Sequence, residues 1–244
     1  MKTNSALINR PLFRRSSARK RRGITLLFVG LIAPLLARSA NNDGEEFLTL
    51  LSGGLGAALV GAIGIALGLS ALAEEIVTIL AGPAFAGSAD ILRLLGFLFV
   101  LHTMSLLLRE AAVALDVQGR LVPVYTIGVI VAFAAYFLLI PTLAGLGAPL
   151  ALVLAESTVL AGIFLVVTQR TRRRPTLGML VGATFSGVLA AGVLFLAYSL
   201  DWGWLARVGC VVVAYLTVLF LTRTISPSEL VSFVRGMRGG GEKN

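Results

Sequence analysis

The chain has 244 residues, of which 57% are hydrophobic and only 14% are charged. Soluble domains contain about 45–50% apolar and about 25% charged residues, so these values and a mean hydropathy of +0.92 exclude a water-soluble fold. The net charge of +9 could suggest a nucleic-acid partner. The basic residues, however, lie in clusters between long apolar runs, which is a pattern of membrane topology.

Six apolar runs are long enough to cross a hydrocarbon core about 30 Å thick, which takes about 20 helical residues. They are residues 48–72, 91–115, 121–140, 147–167, 177–200 and 205–221. Strands of membrane barrels are only about 10 residues long and alternate in polarity, so these runs predict helices. The predicted fold is all-α: a polytopic membrane helix bundle with six full transmembrane helices and one short N-terminal apolar helix.

The basic residues also predict the orientation of the helices. With a cytoplasmic N-terminus, residues 1–47, 116–120, 168–176 and 222–244 face the cytoplasm and hold 18 of the 21 Lys and Arg residues. The outer connections, residues 73–90, 141–146 and 201–204, hold no Lys or Arg. This distribution follows the positive-inside rule, and it predicts that both termini are cytoplasmic.

The chain divides into four predicted parts. They are a basic cytoplasmic arm (1–23), a short apolar helix with a polar loop (24–46), the transmembrane bundle (47–222) and a basic tail (223–244). Because the apolar part of 24–46 is short, we expect it to lie at the interface or to enter the membrane partly. A secretory signal has a similar pattern, but cleavage would place the basic residues of 170–174 outside. The remaining alternative is the remnant of a longer protein's helix.

Three stretches carry a resemblance: LAGPAFAGSADILRLLG, ALDVQGRLVPVY and IPTLAGLGAPLALVLAEST. They resemble the C-terminal half of polysaccharide-biosynthesis exporters, which are flippases of lipid-linked sugars in the multidrug/oligosaccharidyl-lipid/polysaccharide exporter superfamily. Ala144 and Pro149 depart from the family pattern, which has Gly and Ala there. The matching residues are Gly82, Pro83, Phe85, Gly119, Arg120, Ile140, Pro141, Gly147 and Ala148.

The resemblance implies a flippase that moves a lipid-linked oligosaccharide or polysaccharide precursor across the bacterial plasma membrane. Such a transporter has two lobes that give alternating access to a central cavity. This chain corresponds to one lobe, so we expect it to pair with a second copy or with a separately encoded N-terminal half. Its partners would be the lipid bilayer and the lipid-linked sugar; no cofactor, nucleic acid or enzymatic activity is implied.

Polar side chains at membrane depth are the candidate site residues, because a charge at the bilayer centre costs about 2.5–3.5 kcal/mol on insertion scales. At about 100° per residue, His102, Ser105 and Arg109 share one face of their helix. Arg109 could bind a pyrophosphate-sugar headgroup. Alternatively, Arg109 snorkels to the inner interface while His102 hydrogen-bonds within the bundle. Arg93, on the opposite side near the outer end, is a lesser candidate.

Glu156 is the lone charge in the run 147–167. A carboxyl group in a low-dielectric medium favours its neutral form, so Glu156 could carry a coupling proton or bind a cation. Alternatively, protonated Glu156 makes a helix–helix hydrogen bond to a nearby Ser, Thr or His. The resemblance adds that a Glu often occupies this position in the family. We predict that Glu156 and Arg109 face a polar cavity rather than lipid.

Small residues recur near one side of the first full span. Small residues let helix backbones approach closely, so they predict helix packing, within the chain rather than between two copies. The stripe comprises Gly53, Ala57, Gly61, Gly64 and Gly68.

Other chemistry has little support in the sequence. One His and one Cys, Cys210, cannot supply the ligands of a metal cluster, so we expect no metal site. The phosphate-binding pattern GxxxxGK[ST] is absent. Two alternatives to the flippase remain: a cation-coupled multidrug exporter lobe, and a non-transporting, truncated membrane scaffold of a polysaccharide-synthesis complex.

Overall fold

The computed structural model describes residues 36–40, 44–171, 178–200 and 202–221, and every regular element in these ranges is a helix. The all-α prediction is therefore confirmed for this part of the chain. Short 3-10 turns cover Pro83–Ser88, Gln118–Arg120 and Ala144–Leu146. The α-helices are α1 (Gly44–Ala71), α2 (Ala73–Ala81), α3 (Ala89–Ala114), α4 (Leu121–Leu143), α5 (Gly147–Thr171), α6 (Gly178–Ser199) and α7 (Trp204–Leu221).

Each predicted apolar run coincides with one of the six long helices. Within the described residues, four helical stretches are long and apolar enough to cross a membrane: Gly44–Ala71, Pro83–Ala114, Gln118–Thr171 and Val181–Ser199. The third contains both α4 and α5, and Trp204–Phe220 is a shorter apolar helix. These stretches indicate a membrane protein in contact with lipid, while the count of six crossings stays a prediction. The basic arm, residues 24–35, the loop 172–177 and the tail lie outside the described residues.

Two predicted connections are more helical than expected. Helix α1 begins inside the predicted polar loop, with Glu45 and Glu46 in its first turn, where the helix dipole favours carboxylates. The predicted outer connection 73–90 consists mostly of α2 and the turn Pro83–Ser88. A helical backbone pairs its own N–H and C=O groups, which suits a segment at the membrane surface.

The long helices pack one against the next, and α1 contacts helices on both of its sides. Helix α4 packs on α5, α5 on α3, and α3 on α1, while α6 and α7 both pack on α1. One apolar core joins α1, α3 and α5 and includes Phe47, Leu107 and Ile163. A second core joins α1, α6 and α7 and includes Ala190 and Leu219. Helix α1 belongs to both cores and holds the two groups of helices together.

Two isolated glycines let α4 and α5 pack closely. A Cβ atom on Gly128 would lie 2.4 Å from Val159 Cγ2, and one on Gly162 would lie 2.5 Å from Val124 Cγ1. Each helix therefore inserts a valine where the other has no side chain. Because valine is stiff about its first side-chain torsion, any larger residue at either glycine would separate the helices.

The predicted packing through the stripe on α1 needs correction. A Cβ atom on Gly53, Gly61 or Gly68 would meet nothing within 4 Å among the described residues, and Ala57 is exposed. Among the glycines of the stripe, Gly64 alone faces a described neighbour: a Cβ atom there would lie 3.5 Å from the Tyr215 ring. Gly53, Ala57 and Gly61 are exposed on a face that the other described helices leave open. The buried face of α1 mixes large residues such as Phe47 with small ones such as Ala62.

Candidate functional site

Two of the candidate residues, His102 on α3 and Glu156 on α5, lie next to each other. His102 Nδ1 is 3.3 Å from Glu156 Oε1. Both residues lie well inside their helices, and α3 packs directly on α5. The His102 side chain is 60% exposed and that of Glu156 is 21% exposed. The packing of two helices thus forms a carboxylate–imidazole pair at the depth where each residue alone was predicted to be functional.

The pair lines a cavity of about 500 Å³ between α3, α4 and α5. Besides the pair, Tyr125 is the lining residue with an ionisable side chain. Glu156 therefore lines a cavity with a mainly apolar wall, and the prediction that Glu156 and Arg109 face a polar cavity rather than lipid stays a prediction. The other lining residues are Leu95, Leu98, Phe99, Gly128, Val129, Ala132, Leu152, Ala155 and Val159.

This arrangement can exchange a proton for another cation. With no proton, neutral His102 and ionised Glu156 together carry one negative charge. One shared proton makes the pair neutral overall, which is the state that a low-dielectric wall favours. A bound cation would neutralise the pair in the same way, so protons and cations compete for it.

The other two residues of the predicted face lie apart from the cavity. Ser105 is buried between helices, and its Oγ has no hydrogen-bond partner among the described residues. Arg109 is partly buried about two turns along α3 from His102, and neither residue lines the cavity. The face predicted as one surface is therefore split, because only His102 opens towards α5.

Arg93, the lesser candidate, has specific partners. Its Nη2 donates to Glu74 Oε1 of α2 at 2.7 Å, and its Nη1 donates to Asp90 on its own helix. Arg93 therefore ties α2 to α3 at the end of the bundle predicted to face outside.

Arg207 on α7, to which the sequence analysis gave no role, belongs to the same group of charges. Its side chain is only 11% exposed, and its Nη2 donates to Glu75 Oε1 of α2 at 2.7 Å. Its Nη1 lies 3.8 Å from Glu74 Oε2. The short helix α2 is thus held to both α3 and α7 by ion pairs.

Tyr198 of α6 completes this group, which we call the outer cluster: Glu74, Glu75, Asp90, Arg93, Tyr198 and Arg207. The guanidinium carbons of Arg93 and Arg207 lie 4.7 and 4.4 Å from the centre of the Tyr198 ring, within the range of cation–π attraction. The Tyr198 hydroxyl donates to the carbonyl oxygens of Ser70 and Ala71 on α1. The outer cluster therefore joins five helices.

The sequence contained a signal for this cluster. The predicted outer connections carry Glu74, Glu75 and Asp90 but no Lys or Arg. Arg93 and Arg207 are the basic residues closest to these connections along the chain. Carboxylates near a membrane need counter-ions. Counting the charged residues at each predicted end of the bundle would therefore have identified both arginines as partners of these carboxylates.

Among the described residues, no group of three or more His, Cys, Asp and Glu side chains could hold a metal ion. Cys210, on α7, is a free and partly exposed thiol.

Comparison of the chain with protein-family models, with curated proteins and with solved structures gives no match. The resemblance of three sequence stretches to polysaccharide exporters therefore stays a prediction. A functional proposal for this chain therefore rests on the geometry of the His102–Glu156 cavity.

Proposed function

We propose that this chain is one lobe of a membrane transporter and that His102 and Glu156 lie on its ion path. The observation that supports the proposal is the 3.3 Å contact between an imidazole and a carboxylate in a mainly apolar cavity of about 500 Å³. An ionisable residue at membrane depth is rare and by default functional. Because the pair lies inside two predicted transmembrane helices, we assign it to ion transport.

The large exposure of His102 supports a role as one part of an assembly. The cavity is open on one side, and an imidazole facing hydrocarbon there would lose hydrogen bonds to water that its contact with Glu156 alone does not replace. A second lobe facing the cavity would enclose the pair. That lobe would be a second copy of this chain or a separately encoded N-terminal half, as the exporter resemblance implies.

In this proposal, the His102–Glu156 pair couples transport to a cation gradient. The deprotonated pair carries one negative charge and binds a proton or another cation from one side of the membrane. Neutralisation lowers the cost of enclosing the pair in the apolar cavity, so the loaded lobe closes on it more readily. Reopening towards the other side then releases the ion.

The substrate class comes from the resemblance: a lipid-linked oligosaccharide or polysaccharide precursor in the bacterial plasma membrane, with both termini of the chain in the cytoplasm. The cavity is lined by no Arg or Lys, so it would not hold the pyrophosphate of such a lipid. We assign that contact to Arg109, which lies seven residues or about 10 Å along α3 from His102. The lipid headgroup and the coupling ion would then bind at different depths in the membrane.

A cation-coupled multidrug exporter lobe is the second candidate, and the lining of the cavity favours it. Phe99 and Tyr125 line the same cavity as Glu156, and aromatic side chains with one carboxylate suit an organic cation. The third candidate, a non-transporting scaffold, requires that neither residue of the pair affects transport.

Reconstitution in proteoliposomes tests these candidates. A fluorescent lipid-linked oligosaccharide and, separately, tetraphenylphosphonium serve as substrates, with and without a proton gradient. We expect the unaltered chain to translocate the sugar-lipid and the rate to fall at least tenfold in Glu156→Gln and in His102→Asn. Glu110→Gln, on α3 like His102, serves as the control and should keep the rate of the unaltered chain. Gradient-driven efflux of the phosphonium alone would support the exporter. No transport of either substrate with any partner would favour the scaffold.

The number of chains per vesicle tests the one-lobe proposal separately. Vesicles that contain a single chain should be inactive, and activity should appear when a second copy or a partner half is present. Robust transport by single chains would contradict the proposal, because it would mean that one lobe encloses its own substrate path.

A further inference from the structure

A second cavity, of about 340 Å³, lies between α3 and α6 on the surface of α1. Apolar side chains such as Ile63, Phe97 and Val188 line its length, and Arg93 lies among the lining residues with Ser70. On α1 it extends from Leu59 to Ser70, which corresponds to about 16 Å of helix at about 1.5 Å per residue. It is therefore an apolar groove, parallel to the helices, that ends at the outer cluster.

We propose that this groove is a binding site for a phospholipid whose headgroup carries both a phosphate and an ammonium group. One acyl chain lies in the groove, the phosphate accepts hydrogen bonds from Arg93, and the ammonium group pairs with Glu74 and Asp90. The site is distinct from the His102–Glu156 cavity and does not depend on the proposed transport activity.

The charges at the end of the groove determine the class of headgroup. Arg93 is flanked by Glu74 and Asp90, whose side chains are 48% and 63% exposed. A guanidinium has five N–H groups, so Arg93 keeps donors beyond those that bind the two carboxylates. A headgroup with only negative charge would be repelled by both carboxylates, whereas an added ammonium group turns that repulsion into attraction.

The shape of the groove matches a single acyl chain. Helix α6 approaches α1 closely at Gly187, where a Cβ atom would lie 2.8 Å from Ile63 Cγ2. One turn further along α6 the lining residue is Ala191, whose side chain is small and exposed. The groove is therefore narrow at its floor and carries a small, exposed side chain at position 191, so a bulky residue there would fill it.

Lipid retention by the purified full-length chain tests the proposal. The protein is placed in nanodiscs of equimolar phosphatidylethanolamine and phosphatidylglycerol with identical acyl chains, and retained lipids are counted by native mass spectrometry. We expect one phosphatidylethanolamine per chain, retained at least fivefold over phosphatidylglycerol. Ala191→Phe should lower this retention at least fivefold, while Leu196→Phe, at an exposed site on the same helix, should not.

Two further variants keep the test decisive if Ala191→Phe folds poorly. The double variant Glu74→Gln with Asp90→Asn should abolish the preference for phosphatidylethanolamine. In Ala191→Cys with Cys210→Ser, an apolar maleimide should label the cysteine at least threefold more slowly with phosphatidylethanolamine than with phosphatidylglycerol. Equal retention of the two lipids in the unaltered chain, or equal labelling rates, would overturn the proposal.

Discussion

The outer cluster and the His102–Glu156 pair both bring charged groups from different helices together, but they differ in how the charges are covered. In the outer cluster, the Arg207 side chain is mostly buried and has a carboxylate and an aromatic ring as neighbours. In the cavity, the His102 side chain is largely exposed and pairs with Glu156 alone. Charges that pair across several helices join those helices, whereas a pair left open at mid-helix is better explained by function than by stability.

Removing Arg207 should have the largest effect on stability. In Arg207→Gln, Glu75 keeps a partly buried carboxylate that has lost its counter-ion, and breaking such a pair costs about 3 kcal/mol. The free energy of unfolding, measured by denaturant titration in mixed micelles, should fall by this amount. Asp90→Asn is the control, since its exposed carboxylate should contribute less than about 1 kcal/mol. Equal effects of both variants would contradict the distinction between buried and exposed members of the cluster.

Removing both charges should restore much of this loss. In the double variant Glu75→Leu with Arg207→Met, no charge is left buried, and apolar replacements of a buried ion pair are often neutral or stabilising. We expect the free energy of unfolding to recover by about 2 kcal/mol relative to Arg207→Gln. A double variant as unstable as the single one would show that the pair holds α2 and α7 by its geometry rather than by charge compensation.

The sequence predicted the positions of the long helices because each apolar run is interrupted by charged or turn residues. It also singled out Glu156, as the lone charge of its run. It offered a contact of Glu156 with a Ser, Thr or His as one alternative but could not select His102, because helices that are apolar all around carry no polarity pattern to show which face contacts which neighbour. The same reason hid the contact of Arg207 with Glu75, which are 132 residues apart.

The sequence was equally unable to show which glycines lie at close helix contacts. The regular stripe on α1 resembled a packing motif, yet Gly53 and Gly61 face open space among the described residues. Two glycines that do allow close packing, Gly128 and Gly162, are isolated in their sequences and gain their role from a valine on the facing helix. Small residues in a row indicate that a close approach is possible, whereas the partner helix decides where it occurs.

A smaller effect is expected at the turn between α4 and α5, outside both charged sites. Ala144 has φ of 46° and ψ of −122°, a region that glycine populates far more readily than other residues. The exporter resemblance also has Gly at this position. Since such strain costs about 1–3 kcal/mol and glycine loses more backbone entropy on folding, Ala144→Gly should raise the free energy of unfolding by about 1 kcal/mol.

Ala148→Gly, in the first turn of α5, is the matched control. Its backbone is helical, where glycine costs about 0.5–1 kcal/mol relative to alanine. The two substitutions should therefore change stability in opposite directions. If Ala144→Gly also destabilised the protein, the positive φ at this turn would not be a source of strain.

The smallest change in stability is expected for Glu156→Gln, and this result would separate the two sites most clearly. Glutamine keeps an acceptor oxygen that can face His102 and removes a carboxylate whose enclosure by an apolar wall is unfavourable. The lost attraction and the lost desolvation cost oppose each other, so the free energy of unfolding should change by less than about 1 kcal/mol. The same variant should lose at least tenfold of its transport, because the amide cannot bind a proton or pair as strongly with a cation. A loss of stability as large as that of Arg207→Gln would mean that the pair joins α3 to α5 as the outer cluster joins its helices, and the assignment of His102 and Glu156 to an ion path would then have no basis.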